Sequence, residues 1–246
     1  MVKILNTVAC LLIGSICAFG QQYKISWQKV RMEASADGKA YPCDSIIASR
    51  QDALEGLMEI LAYATEEITK DAPGHALSNF SADFMIAAGK KICGSSKDMM
   101  SILHNGGIRA PFPKGAVRVY EVISTYPFDN KVVVCTVKGS HILDMLEGFA
   151  AKGRFEALGG VKIKVADGKL VSAKISGRKI RPEKDYKVVT IDFLLDGGDR
   201  FHFKDLSSDI NYTDMLVSDV AAQYLRDLNA KGKKLTNKGD SRLIIE

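Results

Sequence analysis

The sequence predicts an α+β fold in which a mixed β-sheet is flanked by helices. Three observations lead there. Apolar residues recur at helical spacing in some segments and at strand spacing in others. The two kinds of segment follow one another without the strict alternation that builds a parallel βαβ sheet. One Asp-Gly pair, Asp167-Gly168, separates two strand-like runs, the signature of an antiparallel hairpin.

Residues 21–46 are polar and loop-like, with short strand character around 23–27. Leu54, Leu57, Met58, Leu61 and Ile68 then fall near one helical face, and periodicity alone carries that helix to about Lys70. Ser78 or Asn79 can cap a second helix with Phe80, Phe84 and Ala87 on its apolar face. Met99–Leu103 reads as a short buried strand, and Val119–Thr125 as a short helix or turn. The valine-rich run Lys131–Lys138 is a strand. Ser140 is placed to cap a helix over 142–151, with Leu143, Met145, Leu146 and Phe149 inward. Residues 160–166 and Lys169–Ile175 form the hairpin arms, and 186–191 is a further strand. An amphipathic helix is expected over 212–228, with Met215, Leu216, Ala222 and Leu225 apolar, and an edge strand over 242–246.

Composition bounds what the chain does. Its 246 residues have ordinary apolar and charged fractions for a globular protein. Residues 1–20 read as a secretory signal. Lys3 gives the positive start, residues 4–16 form an apolar stretch too short to span a bilayer, and Ala18-Phe19-Gly20 is a small-x-small cleavage site before Gln21. The rival is lipidation at Cys17, against which stands the bulky Ile16. The expected location is therefore secreted, in a periplasm, with no stable membrane span. The formal charge of +5 loses one unit with Lys3, which suits an anionic small ligand. No basic cluster with interleaved aromatics points to a nucleic acid. Lys231, Lys233, Lys234 and Lys238 read as a solvated surface turn. Downstream of the signal stand Cys43, Cys93 and Cys135. An odd count leaves one thiol outside any intrachain pair. Cys135 reads as core, and a Cys43–Cys93 bridge stays open in an oxidising compartment. No CxxC or Cys/His cluster suggests zinc.

Three loops carry ligand-type chemistry. In Leu103-His104-Asn105-Gly106-Gly107-Ile108-Arg109, Gly106 and Gly107 let backbone come close to a ligand, and Arg109 offers a planar fork of donors to phosphate or carboxylate. In Tyr126-Pro127-Phe128-Asp129-Asn130, an aromatic follows proline ahead of the Lys131–Lys138 strand. In Asp192-Phe193-Leu194-Leu195-Asp196-Gly197-Gly198-Asp199, a second aromatic precedes a Gly197-Gly198 turn and a carboxylate. Each has a bland alternative: a tight turn with a surface arginine, two satellite core phenylalanines, an aspartate bonding its own backbone. Facing each other, the two rings would sandwich a planar base. Of the histidines 75, 104, 141 and 202, only His104 lies beside one of these loops.

Read jointly, the loops resemble the C-terminal, substrate-binding domain of the 5′-nucleotidase and UDP-sugar hydrolase family. Further markers are Ser78-Asn79-Phe80-Ser81-Ala82-Asp83 and Lys138-Gly139-Ser140. The similarity runs from about residue 50 to the end, which divides the chain into a signal over 1–20, an extension over 21–46 and the domain over 47–246. The resemblance implies a helix ending near Glu59 and a strand from Ile60 to about Ile68, in preference to the long helix. It also implies that Phe128 and Phe193 stack on a nucleobase, Asp199 holds the ribose, Arg109 meets phosphate and Asn130 lies beside the base. Two departures stand out. The family often has asparagine where His104 stands, and it carries an arginine and a glutamate where this chain reads Asp71-Ala72-Pro73-Gly74-His75. The phosphoesterase signatures Asp-x-His and Gly-Asn-His-Asp/Glu do not occur in the sequence. The expectation is thus a chain with no catalytic or metal-binding residues of its own. It would act as the nucleotide- or nucleoside-binding half of a split 5′-nucleotidase, with the divalent metals in a separately encoded metallophosphoesterase partner. The alternatives are a stand-alone nucleoside-binding module and a scaffold that has lost its ligand.

Overall fold

A computed structural model describes residues 45–46, 49, 54–70, 76–201 and 203–246. By its internal contacts the chain divides into residues 1–47 and 48–246. Of the first unit only Ser45 and Ile46 are described, in a helical turn. Expectations for the signal, for residues 23–27 and for the Cys43–Cys93 pair lie outside the described residues. Cys93 itself is exposed and takes part in no disulfide among the described residues.

The second unit is α+β, as the mixed periodicities predict. Five strands form its central sheet: β2 (Met99–Leu103), β4 (Lys131–Lys138), β5 (Ala157–Gly159), β9 (Asp185–Ile191) and β10 (Ser207–Leu216), in the order β10-β4-β9-β2-β5. The β9–β2 pair is parallel and the other three are antiparallel, so the sheet is mixed. β2 is buried along its whole length, and Cys135 sits in the middle of buried β4. A second sheet joins β6 (Val161–Ala166), β7 (Lys169–Ile175), the two-residue β8 (Arg178–Lys179) and the edge strand β11 (Leu243–Ile245). Its hairpin turns on Asp167 and Gly168, at φ 50° and 70°, the left-handed pair that a two-residue turn of matching twist requires. A short ribbon pairs β1 (Ile60–Ala64) with β3 (Gly115–Arg118).

Three longer helices cover these sheets. α1 (Ala76–Cys93) packs on β2 and β5, α3 (Gly139–Lys152) on β4 and β7, and α6 (Val217–Ala230) on β1 and α1. The short α2 (Val119–Thr125), α4 (Asp192–Leu195) and α5 (Phe203–Leu206) turn the chain between strands. Edge-to-face aromatic rings tie the helices together: Phe80 lies 5.6 Å from Phe84, 5.5 Å from Phe112 and 5.6 Å from Tyr224.

Several sequence expectations need correction. The long helix to Lys70 does not form: Leu54 and Glu55 are helical, Gly56–Met58 is a 3-10 turn, and β1 follows. β1 ends at Ala64, short of the expected Ile68, which instead forms an isolated bridge with Phe112. α1 starts before Ser78 and Asn79, so neither is a cap, and its buried face runs through Ala88 while Ala87 is only half-buried. Residues 212–216 belong to β10, where Tyr212 pairs with Val133, and the helix begins at Val217. Ser140 does not cap α3. Instead the Gly139 and Ser140 N–H groups donate to the carbonyls of Lys184 and Pro182, at 2.8 and 2.9 Å, so backbone satisfies the orphan donors of the helix start.

Candidate functional site

The sheet topology gathers the three loops. β2 and β9 run parallel, so the loops leaving their C-terminal ends emerge at the same end of the sheet: residues 104–109 after β2, and α4 with residues 196–200 after β9. β4 runs antiparallel to β9, so residues 128–130 enter it at that same end. Backbone contacts fix the arrangement. The Lys131 N–H donates to Asp192 Oδ1 at 3.1 Å, the Val217 N–H to the Asn130 carbonyl at 3.0 Å, and the Arg109 N–H to the Thr125 carbonyl at 2.8 Å.

The glycine loop is anchored through Asn105. Its N–H donates to Glu156 Oε2 at 2.6 Å, its side-chain amide donates to the Phe155 carbonyl at 2.8 Å, and its Oδ1 accepts from Ser78 Oγ at 2.9 Å. Lys70 Nζ donates to the carbonyls of Asn105, at 2.9 Å, and Ile108. A Cβ on Gly106 would stand 2.2 Å from His104 Nε2, so glycine is what lets the imidazole lie across the loop. A Cβ on Gly107 would meet nothing within 4 Å, so that residue borders open space.

Phe128 and Phe193 are 47% and 44% exposed, two large rings left in water at one end of one sheet. The Arg109 guanidinium lies over Phe128, 5.9 Å from the ring centroid, and its Nη1 donates to the Gly106 carbonyl at 3.0 Å. A Cβ on Gly198 would meet the Phe193 ring at 2.5 Å, so the Gly197-Gly198 turn is shaped around that ring. Gly197 has φ 100°, a conformation that favours glycine. Asn130 is half-buried, and its side-chain amide takes no hydrogen bond among the described residues.

His104 joins two of the loops. Its Nε2 lies 2.7 Å from Asp199 Oδ2, and its Nδ1 lies 3.3 Å from Glu156 Oε2, a looser contact without good hydrogen-bond alignment. The Glu156 contact raises the imidazole above its ordinary pKa despite partial burial, with the Asp199 charge adding to it. Burial works to raise Glu156, but His104 and the Asn105 N–H outweigh it and hold the carboxyl below its usual range. The site thus offers exposed aromatic faces, a guanidinium, an acceptor carboxylate and glycine backbone. That set suits a planar ring carrying hydroxyl and anionic groups.

The sequence brought forward Phe128, Asn130, Phe193, Gly106, Gly107, Arg109, His104, Gly197, Gly198 and Asp199, and the topology brings all ten to this end. It missed Lys70 and Glu156, and offered Ser78 or Asn79 as a cap. Only spatial proximity marks Glu156, fifty residues along the chain from the loop it holds. The remaining markers are explained by packing. Ser81 Oγ shares a 2.7 Å hydrogen bond with the buried Tyr126 hydroxyl, and Asp83 pairs with Arg242 at 2.9 Å. Residues 71–75 and His202 lie outside the described residues. Among the described residues, no group of three or more His, Cys, Asp or Glu is placed to hold a metal ion, and no helix is long and apolar enough to cross a membrane.

The fold and this loop cluster define a class. A sequence profile of the 5′-nucleotidase C-terminal domain matches residues 59–205. The chain belongs to the 5′-nucleotidase C-terminal domain family. Protein UshA of Escherichia coli is 28% identical over 130 residues, covering 51% of this chain and 24% of that protein. Protein UshA of Yersinia enterocolitica is 31% identical over 149 residues, covering 58% and 26%. The chain therefore spans about a quarter of the length of these curated relatives. Among solved structures, a 5′-nucleotidase precursor from Thermus thermophilus superposes with a TM-score of 0.67 at 22% identity, covering 82% of this chain and 42% of that one. It shares the fold.

Proposed function

We propose that this chain is the nucleotide- or nucleoside-binding half of a secreted, periplasmic 5′-nucleotidase. In this reading a metallophosphoesterase, supplied as a separate chain, carries the divalent metals and cuts the phosphate ester. Phe128 and Phe193 hold the base, Asp199 the ribose hydroxyls, Arg109 the phosphate, and Asn130 and His104 lie beside them. Binding energy gained on base and ribose would then position the phosphate for chemistry elsewhere. The observation that carries the reading is the convergence of two half-exposed rings, a guanidinium and a carboxylate from three separate loops at one sheet end. The signal-like residues 1–20 support secretion.

Calorimetric titration of the chain with adenosine and AMP tests the reading. Wild type should bind both, and Phe128→Ala should weaken both by about 1–3 kcal/mol, the value of one base-on-aromatic stack. Equal affinity in wild type and Phe128→Ala would remove the ring from the site. Binding of neither ligand by wild type would favour a scaffold that has lost its ligand.

A further inference from the structure

An open cavity of about 880 Å³ lies between α3 and residues 199–201 and 203–206. Phe128, Phe193, Arg109 and Asn130 do not line it. It meets the loop cluster described above at His104, Glu156, Asp199 and Arg200. Its volume falls in the range of about 300–1,000 Å³ typical of small-molecule sites.

One wall is aromatic. Phe149 of α3 packs edge-on against Phe155 at 6.1 Å and lies 6.1 Å from Phe201, which stacks on Phe203 at 5.6 Å and 13°. Phe149 and Phe201 are only partly buried, so apolar ring surface reaches the cavity. The rim is cationic. Lys152, Arg154 and Arg200 line it, are exposed, and take part in no ion pair among the described residues. Three carboxylates line it as well: Glu156 and Asp199, which share His104, and Asp144. Asp199 and Arg200 are consecutive non-glycine residues at φ 50° and 65°. Such backbone costs free energy and clusters where a side chain must be aimed. Here it puts the Asp199 carboxylate on His104 and Arg200 on the cavity rim.

We infer that this cavity is a second small-molecule site, for an organic anion with a planar apolar body. The ring lies along Phe149 and Phe201, and the acidic group sits among Lys152, Arg154 and Arg200. An apolar wall alone would take any greasy molecule. The three exposed cations, of which Arg154 also acts on Glu156, are what selects the anion. The site stands whether or not Phe128 and Phe193 hold a base, because it uses neither ring.

Fluorescence titration with 1-anilinonaphthalene-8-sulfonate, an aromatic anion, tests this on the full chain. Binding should saturate at one equivalent. Lys152→Glu with Arg200→Glu should weaken it at least about tenfold, as two lost charge-assisted contacts imply. Both positions are exposed, so the variant is expected to keep the wild-type melting temperature, which serves as the folding control. N-phenyl-1-naphthylamine, the uncharged counterpart, should bind wild type and variant within about twofold of each other, since apolar burial is unaffected by the rim charges. Phe128→Ala should leave the anion's affinity unchanged, which separates this cavity from the base site. The inference is overturned by no saturable binding to wild type, by equal anion affinity in the charge-reversal variant, or by loss of binding in Phe128→Ala.

Discussion

His104 lies between two carboxylates, and its protonation is therefore linked to folding. The Glu156 contact raises its folded-state pKa above the ordinary 6.5, so the stabilisation it contributes is complete below about pH 6.5 and is lost as pH rises through the raised value. Glu156 is shifted the other way. Its contribution is complete above the ordinary 4.5 and is lost as pH falls through the lowered value. Urea denaturation of wild type and His104→Asn from pH 4.5 to 9 should show a stability gap that is widest between those two values and shrinks toward alkaline pH. A gap that widens with rising pH, or does not change, would exclude this linkage. The residue types of the site were legible because glycine pairs, an exposed-type aromatic after proline and a turn aspartate each have few physical reasons to occur. Their supports were not. Lys70 and Glu156 look like any surface charge until the fold puts one on the loop carbonyls and the other on the Asn105 N–H.

At the scale of elements, α3 holds two glycines with opposite reasons to be there. At Gly139 a Cβ would stand 2.0 Å from the Arg181 carbonyl, against the backbone that caps the helix. At Gly148 it would meet nothing within 4 Å. Gly139→Ala should therefore destabilise the domain by about 1–3 kcal/mol through overpacking. Gly148→Ala should stabilise it by about 0.5–1 kcal/mol, because mid-helix glycine carries an entropic cost. Urea midpoints moving in opposite directions would bear this out, and two shifts of the same sign would refute it. The same helix shows where pattern reading falls short. Ser140 is a fitting cap residue by type, but the loop over residues 182–184 supplies carbonyls first. β10 fails for a related reason. Met215 and Leu216 continue the helical spacing of Val217–Ala230, and only the pairing of Tyr212 with Val133 and of Leu216 with Lys131 makes that stretch a strand. Elements with short-range signals, such as the Asp167-Gly168 hairpin and the valine-rich β4, were readable because their partners or their burial are local.

Across the whole molecule, the residues beyond the matched 59–205 still belong to the fold. β10 edges the central sheet, α6 contributes Tyr224 to the aromatic core, and β11 closes the second sheet. Arg242, just before β11, joins these layers. Its guanidinium donates to both oxygens of Asp83 on α1, at 2.9 and 3.1 Å, and to the carbonyls of Asn79 and Leu158, at 3.3 Å each. It also pairs with Asp240 at 2.6 Å, while its own carbonyl accepts from the Ile163 N–H at 2.7 Å. One residue thus links α1 and β5 through its side chain and the second sheet through its carbonyl. Arg242 is 15% exposed but Asp83 is 42% exposed, so solvent screens part of the charge attraction. Most of the effect then lies in the forked hydrogen bonds and in the carbonyls that would lose their donor. Arg242→Ala should lower stability by about 2–3 kcal/mol, which for a domain of this size moves the melting temperature by roughly 4–12 °C. Arg242→Lys keeps the charge but not the fork, and should recover less than about half of that loss. Thermal melts of the three proteins decide the matter. Full rescue by lysine would reduce Arg242 to a point charge, and a loss below about 0.5 kcal/mol in Arg242→Ala would mean the layers hold together without it.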